Sequence, residues 1–339
     1  MSIILLIPYF GKFPNCLPAF LHSCSSNSEI LFYFFTDDES ILKQNLSSNI
    51  IVKITSFDAI NEKVMKLGFD KMLSAYKLCD CKPLYGQLFK EEIKGFDYWG
   101  YCDIDLMFGD ISKFLKEINY SDYDRIGRFG HFTLYRNTAK INNLYKYSSP
   151  SLPKSNLFPY IGRTTYPCNF DEMGMNVICR KEGIKFYDKD LSVQPTIGLD
   201  YHLHSWGNSR FPQLFTWEKG RIFVYTKRKE IEKKEFMYFH FIDRKDMPIR
   251  DALDEKVLIT HLGFYQFEET MLDEYFLKFG MPDTKEESVL YHCKVKKKVI
   301  NRRVKRILTE LLQYKLKGLY NIYQRYLAVK WIYKNNLQN

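Results

Sequence analysis

The sequence predicts an α/β fold with a mixed, mainly parallel sheet flanked by helices. Residues 3–7, 29–35 and 50–54 are short apolar segments rich in β-branched and aromatic residues, as expected of buried strands. Apolar residues at helical spacing follow the first of them, and each segment ends in polar or turn-forming residues. Strands that alternate with helices in this way are typical of a largely parallel sheet.

The first two strands each lead into a loop that is a candidate ligand-binding segment. In parallel sheets, ligands bind beyond the carboxyl ends of the strands, so the loop at 8–12 and the loop at 36–38 are expected to line one site. Tyr9 and Asp37 are candidates for stacking on a nucleobase and for hydrogen bonding to the base or ribose. Loop packing for Tyr9 and helix capping for Asp37 are the structural alternatives.

An acidic pair follows the next apolar segment. Residues 96–101 lead into Cys102-Asp103-Ile104-Asp105. Alternate side chains of a strand share a face, so Asp103 and Asp105 are expected to converge while Ile104 enters the core. Carboxylates are preferred ligands of Mg²⁺ and Mn²⁺. The pattern predicts a divalent-metal site, with a solvated turn as the alternative.

Beyond the acidic pair, Asp110 is expected to cap a helix with apolar residues at 111, 114, 115 and 118. Residues 125–235 mix short strands with turns and are expected to shape an acceptor groove. Strand character returns at 235–241 and delivers His240. Asp171 and Glu172 precede a helical stretch, where an acidic first turn favoured by the helix dipole is the alternative to a catalytic role.

Composition limits the class of protein. The 339 residues are 45% hydrophobic, which suits one large domain with an appendage or two domains. The eight cysteines form no CxxC pair or zinc-type spacing, which predicts reduced thiols in a cytosolic protein. The apolar start is too short for a signal peptide, and no apolar run reaches the eighteen residues of a spanning helix.

The positive charge is concentrated at the C-terminus. From Lys294 onward nine Lys and four Arg face one acid, Glu310, so the tail carries +12 and the preceding residues −2. We expect a body at 1–290 and a basic amphipathic helical tail at 291–339. Such a tail suits an anionic membrane surface. Packing on protein is the alternative, and nucleic acid binding is disfavoured because no recognition motif is present.

Four segments carry a resemblance to a known family. IPYFGKFPN, YKLCDCKPLYG, YWGYCDIDLMFGDI and GHFTLYRN resemble a domain-of-unknown-function family from bacterial polysaccharide gene clusters. The order of the motifs, with Asp103 and Asp105 ahead of a late His-Phe-x-x-x-Lys, resembles nucleotide-sugar glycosyltransferases of the GT-A, Rossmann-like fold. The resemblance covers roughly residues 1 to 250.

The resemblance implies a donor site. Asp103 and Asp105 match the carboxylates that hold Mn²⁺ or Mg²⁺ against the diphosphate of a nucleotide-sugar, here expected to be a UDP-sugar. His240 matches a third metal ligand, and Lys245 resembles the diphosphate-contacting lysine of family 8 enzymes. Lys82 is a candidate contact for donor phosphate. The structural alternatives are an inert buried histidine for His240 and solvated surface lysines for Lys82 and Lys245.

The resemblance also implies a catalytic role for Asp171 and Glu172. A carboxylate there accepts the proton of the acceptor hydroxyl in an inverting reaction, or supports the sugar in a retaining one. His202 and His204, two residues apart, raise the possibility of a second metal site, although an acceptor-groove role near Trp206 or plain hydrogen bonding is favoured.

Together these features predict a metal-dependent glycosyltransferase of bacterial surface polysaccharide synthesis (capsule, O-antigen or lipooligosaccharide). Its expected partners are a nucleotide-sugar, a glycan or lipid-linked glycan acceptor and the cytoplasmic face of the inner membrane. The alternatives are a non-catalytic glycan- or membrane-binding protein with a transferase-like fold, and a phosphosugar or nucleotidyl transferase.

Overall fold

The computed structural model describes residues 2–146, 170–195, 201–205, 210–242, 244, 246–291, 293, 297, 301 and 304. Three predictions concern residues outside these ranges. They are the diphosphate contact of Lys245, the groove near Trp206 and most of the basic tail.

The described residues contain helices and strands in alternation through the first half of the chain and mainly strands in the second. The α-helices are α1 Leu17–Ser25, α2 Phe57–Lys66, α3 Leu78–Cys81, α4 Tyr85–Leu88, α5 Ile111–Glu117, α6 Ala139–Asn142, α7 Met175–Lys181 and α8 Leu272–Tyr275. The strands are β1 Ile3–Pro8, β2 Ile30–Thr36, β3 Ile50–Ile54, β4 Tyr98–Cys102, β5 Leu106–Phe108, β6 Arg125–Ile126, β7 Phe132–Arg136, β8 Phe186–Tyr187, β9 Ser192–Val193, β10 Gln213–Glu218, β11 Arg221–Lys227, β12 Ile231–Phe236, β13 Tyr238–His240, β14 Lys256–Thr260 and β15 Gly263–Gln266.

The central sheet has seven strands in the order β3-β2-β1-β4-β7-β6-β8. Strands β1 to β4 run parallel, β7 is antiparallel to both β4 and β6, and β8 is parallel to β6. The expectation of a mixed, mainly parallel sheet is therefore confirmed. The carboxyl ends of β1, β2 and β4 meet at one edge, beside the start of β7.

Helices cover both faces of this sheet because its strands are apolar on both sides. Ile4, Leu6 and Trp99 pack with α2, α3, α4, α6 and α7, whereas Ile3 and Leu5 pack with α1 and α5. The α5 helix begins where the sequence predicts, since the Asp110 carboxylate accepts the Lys113 backbone N–H over 2.8 Å.

A second, five-stranded antiparallel sheet takes three of its strands from the end of the region expected to mix short strands with turns. Its order is β12-β11-β10-β14-β15. Strands β10 and β11 are joined by Lys219 and Gly220, whose φ angles of 48° and 78° suit the tight turn of a two-residue hairpin. Three of its four pairings join strands that are successive in the chain, and the pairing of β10 with β14 is the one that no local pattern could predict.

The strand expected over 235–241 is divided between two sheets. Strand β12 joins the five-stranded sheet, and β13 lies between β5 and β9 in a three-stranded sheet. The break falls at Met237, whose backbone hydrogen bonds to Leu191 and Gly109. Because of this division, β13 pairs with β5 and its end lies next to Asp103 and Asp105, at the carboxyl end of β4.

None of the described helices is long and apolar enough to cross a membrane. Residues 285–291 are helical, so the expected boundary between 290 and 291 falls inside a helix. The division into a body and a tail stays a prediction.

Candidate functional site

A cleft of about 410 Å³ opens where the carboxyl ends of β1 and β4 meet. It combines an apolar wall from the β1 loop with a floor of charged side chains. Its polar lining includes Tyr9, Tyr76, Lys82, Asp103, Asp105, Asp171 and Glu172. This is the position in which a parallel sheet binds its ligands.

The register of β5 and β13 brings His240 to the acidic pair. His240 pairs with Leu106, and the next backbone N–H, that of Phe241, donates to the Asp105 carbonyl over 2.8 Å. His240 Nε2 lies 3.7 Å from Asp105 Oδ2 as a result. Ligand atoms of Asp103, Asp105 and His240 all lie within 4.8 Å of one another, a spacing and donor set that fit one divalent cation.

The tautomer of His240 suits metal binding. Its Nδ1 lies 3.3 Å from Gln194 Oε1. An amide oxygen only accepts hydrogen bonds, so Nδ1 carries the hydrogen and Nε2 presents a lone pair toward Asp105. A histidine held through Nδ1 in this way is the usual arrangement behind an imidazole ligand.

Lys82 joins the acidic pair to the downstream carboxylates. Its Nζ lies 2.6 Å from Asp103 Oδ1, 2.7 Å from the Gly130 carbonyl and 3.6 Å from Asp171 Oδ2. Burial opposes the charge, but Asp103 and Asp171 raise the pKa of Lys82 well above its ordinary value. Lys82 is therefore a buried ammonium that lines the cleft and is surrounded by acceptors of the protein itself.

Asp171 and Glu172 lie in one turn of π-helix, Phe170–Gly174, just before α7. Asp171 is buried, and desolvation raises the pKa of its carboxyl well above the ordinary value although Lys82 opposes the shift. Glu172 is more exposed, and its Oε1 accepts the Gly130 backbone N–H over 3.0 Å. The two neighbouring carboxylates thus have different environments.

Tyr9 and Asp37 differ in position. Tyr9 lines the cleft, its ring stacks on Phe13 at 4.9 Å, and its hydroxyl donates to the Lys12 carbonyl. Asp37 is exposed and accepts the Gly11 backbone N–H over 2.8 Å, which ties the loops after β1 and β2 together. Nucleotide contacts by either residue stay predictions.

A protein-family model matches residues 5–317. The chain belongs to DUF6625, a family of unknown function. No curated protein matches this DUF6625 member.

Three similar solved structures have titles that name glycosyltransferases. Mouse xyloside xylosyltransferase 1, in its apo form, is 13% identical with a TM-score of 0.38 and matches 58% of this chain and 89% of its own. Galactosyltransferase LgtC, in complex with donor and acceptor sugar analogues, is 11% identical with a TM-score of 0.30, and the match covers 57% of this chain and 76% of the LgtC chain. Glycosyltransferase GlyE of Streptococcus pneumoniae TIGR4 is 13% identical with a TM-score of 0.28, and the match covers 56% of this chain and 45% of the GlyE chain.

Several buried residues of the DUF6625 chain position the site without having been singled out by sequence. Arg125 donates to the Asp171 carbonyl over 3.3 Å and to Asn176 Oδ1 over 2.7 Å. Lys77 and Asp80 form a buried ion pair at 2.6 Å, and Asp80 also accepts the Phe170 backbone N–H. For Lys77 and Asp80, the sequence signal that could have indicated a role was the density of charged residues in the segment YKLCDCKPLYG.

His202 belongs to a second cluster in the DUF6625 chain. Its Nδ1 lies 2.8 Å from Asp283 Oδ1, and ligand atoms of His202, Asp283 and Glu287 lie within 4.8 Å of one another. Asp283 also accepts two backbone N–H groups, and Glu287 accepts from Thr284 at the start of a helix. His204 is not in this group of described residues, and hydrogen bonding accounts for the cluster.

Gly130 is required by the close approach of the two carboxylates. A Cβ at this position would lie 2.2 Å from Asp171 Oδ2 and 2.9 Å from Glu172 Cγ. We therefore expect Gly130→Ala to lower the free energy of unfolding by about 2 kcal/mol, measured by chemical denaturation. Gly95→Ala is the control, since Gly95 has a φ of 87° but open space at its Cβ, and its cost is backbone strain alone. Gly130→Ala as stable as wild type would contradict the packing argument.

Proposed function

We propose that this protein is a metal-dependent glycosyltransferase of the GT-A type that moves a sugar from a nucleotide-sugar, expected to be a UDP-sugar, to a glycan acceptor. The observation that carries the proposal is the convergence of Asp103, Asp105 and His240 in a cleft beyond the carboxyl ends of parallel strands. The two aspartates lie in the turn between β4 and β5, and His240 comes from β13, more than a hundred residues later, so their meeting is a property of the fold and not of local sequence.

The proposed reaction forms a bond between an acceptor hydroxyl oxygen and the anomeric carbon and breaks the bond from that carbon to the diphosphate. A divalent cation held by the three side chains would neutralise the charge that develops on the departing nucleoside diphosphate. His240 and the two aspartates would bind the cation and so orient the diphosphate of the donor. Tyr9, on the β1 side of the cleft, is placed to pack against the nucleoside.

Lys82 is proposed to position Asp103. Its ammonium approaches Asp103 Oδ1 at 2.6 Å and so fixes the carboxylate at the metal site. A direct contact with donor phosphate, as the resemblance implies, would add an acceptor to those already around Nζ. Whether Lys82 contacts the donor phosphate or only positions Asp103, its positive charge lies in the cleft and attracts an anionic donor.

Glu172 is proposed to act at the reacting sugar, and Asp171 to hold Lys82. Both residues line the cleft, but Glu172 is the more exposed of the two, whereas Asp171 is buried beside the ammonium. A carboxylate in the position of Glu172 accepts the proton of the attacking hydroxyl in an inverting reaction or supports the sugar in a retaining one.

The biological setting proposed is the synthesis of a bacterial surface polysaccharide at the cytoplasmic face of the inner membrane. The support is the basic tail, in which eight of the thirteen residues from Lys294 to Arg306 are Lys or Arg. Apolar residues interleave with these charges, as in helices that lie on anionic lipid. Lipid-linked acceptors would be found at the same surface.

The metal assignment is tested with Asp105→Asn. Wild type incubated with nucleotide-sugars and Mn²⁺ should release nucleoside diphosphate, identified by mass spectrometry. Asp105→Asn should weaken Mn²⁺ binding, measured by calorimetry, by at least about 100-fold, because the variant loses a charged ligand from a set of three.

The matched control is Asp58→Asn, since Asp58 is 73% exposed in a surface ion pair with Lys71. Equal Mn²⁺ affinity and equal turnover in Asp105→Asn would refute the assignment. Absence of nucleoside diphosphate with every donor would favour the glycan-binding alternative, and release of pyrophosphate or nucleoside monophosphate the nucleotidyl or phosphosugar transferase.

Substitution of each carboxylate in the π-helical turn is expected to distinguish the role of Glu172 from that of Asp171. Glu172→Gln should lower kcat by about 100-fold or more while Mn²⁺ affinity and the free energy of unfolding stay unchanged. Asp171→Asn should lower the free energy of unfolding by about 1–2 kcal/mol, because it weakens one of the acceptors around the buried Lys82 ammonium, which keeps Asp103 and the Gly130 carbonyl. The reverse pattern would exchange the two roles, and NMR of the product anomer establishes inversion or retention.

Deleting residues 294–339 tests the tail. Removal of the +12 segment should lower cosedimentation with vesicles of anionic phospholipid, and the loss should be smaller at high salt because the attraction is electrostatic. Donor hydrolysis in solution should be retained, which serves as the control for folding. Unchanged vesicle binding by the truncated chain would count against membrane association.

A further inference from the structure

A second cavity, of about 660 Å³, opens against the part of the chain that follows His240. Its size is within the range of pockets that bind small molecules. Among the described residues, none that lines this cavity also lines the cleft of the acidic pair, so the two are separate sites. The lining combines aromatic, apolar and charged side chains.

Three aromatic rings line the cavity and contact one another. The Tyr201 ring lies 4.5 Å from the His261 ring and 6.1 Å from the Tyr291 ring, measured between centroids. The Arg244 guanidinium lies 5.1 Å from the centre of the Tyr291 ring and donates to the Tyr201 carbonyl over 3.0 Å. These contacts hold the rings in place, so a ligand finds them already ordered.

Backbone pairing fixes another part of the lining, residues 247–250. The Arg250 backbone N–H donates to the Phe264 carbonyl over 2.9 Å, and the Phe264 N–H donates to the Pro248 carbonyl over 3.0 Å. The Arg250 Nε–H donates to the Leu262 carbonyl over 3.1 Å. The segment is therefore attached to β15, while the exposed end of the Arg250 side chain is accessible to a ligand.

The charges of the lining cancel, which favours a neutral polar ligand over an anion. Two arginines, Arg244 and Arg250, are matched by two carboxylates, Asp246 and Glu287. His261 is uncharged near neutral pH, because burial lowers its pKa to about 4. A hydroxyl group both donates and accepts hydrogen bonds, so guanidinium donors beside carboxylate acceptors suit a polyol. Tyrosine rings, which are apolar on their faces and polar at one end, suit the apolar face of a sugar ring.

The cavity lies near the site of the proposed reaction. His240 and Arg244 are four residues apart, so their Cα atoms are separated by at most about 14 Å. The Phe241 N–H donates to the Asp105 carbonyl over 2.8 Å, and the Arg244 N–H donates to the Phe241 carbonyl over 3.0 Å. One short turn therefore joins the proposed cation site to the cavity, a distance that a glycan of a few sugar residues spans.

We propose that this cavity binds a sugar residue of the acceptor glycan, at a distance from the hydroxyl group that reacts. The inference rests on the proposed glycosyltransferase function. Tyr201 and Tyr291 pack against the sugar ring, and Arg250 and Asp246 supply a donor and an acceptor for its hydroxyl groups. The cavity thereby selects acceptors by what lies beyond the sugar that receives the transferred residue.

The first experiment measures binding of the full chain to an array of bacterial oligosaccharides. Wild type should bind a subset of them. Arg250→Ala and Leu290→Trp should each lower the affinity for this subset by about 10-fold, the first by removing a donor and the second by filling the rim, where Leu290 is 72% exposed. The matched controls are Arg228→Ala and Leu277→Trp, because Arg228 is an exposed arginine and Leu277 a 74% exposed leucine outside the cavity lining.

The second experiment measures transfer from a nucleotide-sugar in the presence of Mn²⁺. Leu290→Trp should raise the KM for an oligosaccharide acceptor from the bound subset by about 10-fold. Hydrolysis of the donor without acceptor, and transfer to a single-sugar acceptor, should match wild type because neither requires the cavity.

The possible failures are distinct. Wild-type glycan affinity in both Arg250→Ala and Leu290→Trp, or an equal loss in the two controls, would overturn the proposal. It would also be overturned if wild type bound no glycan of the array, or if Arg250→Ala lowered binding to anionic phospholipid vesicles and left glycan affinity unchanged. Glycan binding that depends on the cavity in a chain that hydrolyses no nucleotide-sugar would instead refute the proposed function.

Discussion

The site depends on the buried ammonium of Lys82. A lone positive charge is costly away from water, and here it is offset by Asp103, Asp171 and the Gly130 carbonyl, all within 3.6 Å. Each of these groups comes from a different part of the chain. The requirement to satisfy one ammonium therefore fixes the distance from the acidic pair after β4 to the π-turn before α7.

Backbone pairing supplies the rest of the constraint. The antiparallel pairing of β5 with β13 places His240 beside Asp105, and the pairing of β4 with β7 places His131 beside Asp103. A shift of one residue in either register would turn an imidazole to the opposite face of its strand. The geometry of the site is thus set by main-chain hydrogen bonds far stiffer than the side chains they carry.

The environments of paired groups differ in ways that suit a division of labour. Asp171 and Glu172 are adjacent in sequence and both line the cleft, yet Asp171 is buried against Lys82 and Glu172 is more exposed. The His131 and His240 rings lie 4.2 Å apart, and His240 donates its Nδ1–H to Gln194, so that its Nε2 presents a lone pair toward Asp105. A floor of carboxylates below an apolar wall suits a divalent cation beside a ring-containing ligand.

The sequence by itself determined the strands β1 to β4, the cap at Asp110 and the chemistry of Asp103-Ile104-Asp105, because apolar periodicity and capping act over a few neighbouring residues. It also singled out His240, through a motif. Only the tertiary structure decided that β12 and β13 separate at Met237, that a five-stranded sheet fills the middle of the chain, and that Arg125, Lys77 and His131 support the site. Several of these features depend on contacts between residues far apart in the chain, such as Met237 with Gly109, β10 with β14 and Arg125 with Asp171. Burial and hydrogen bonding compete there among many possible partners, and local sequence does not specify which pairing forms.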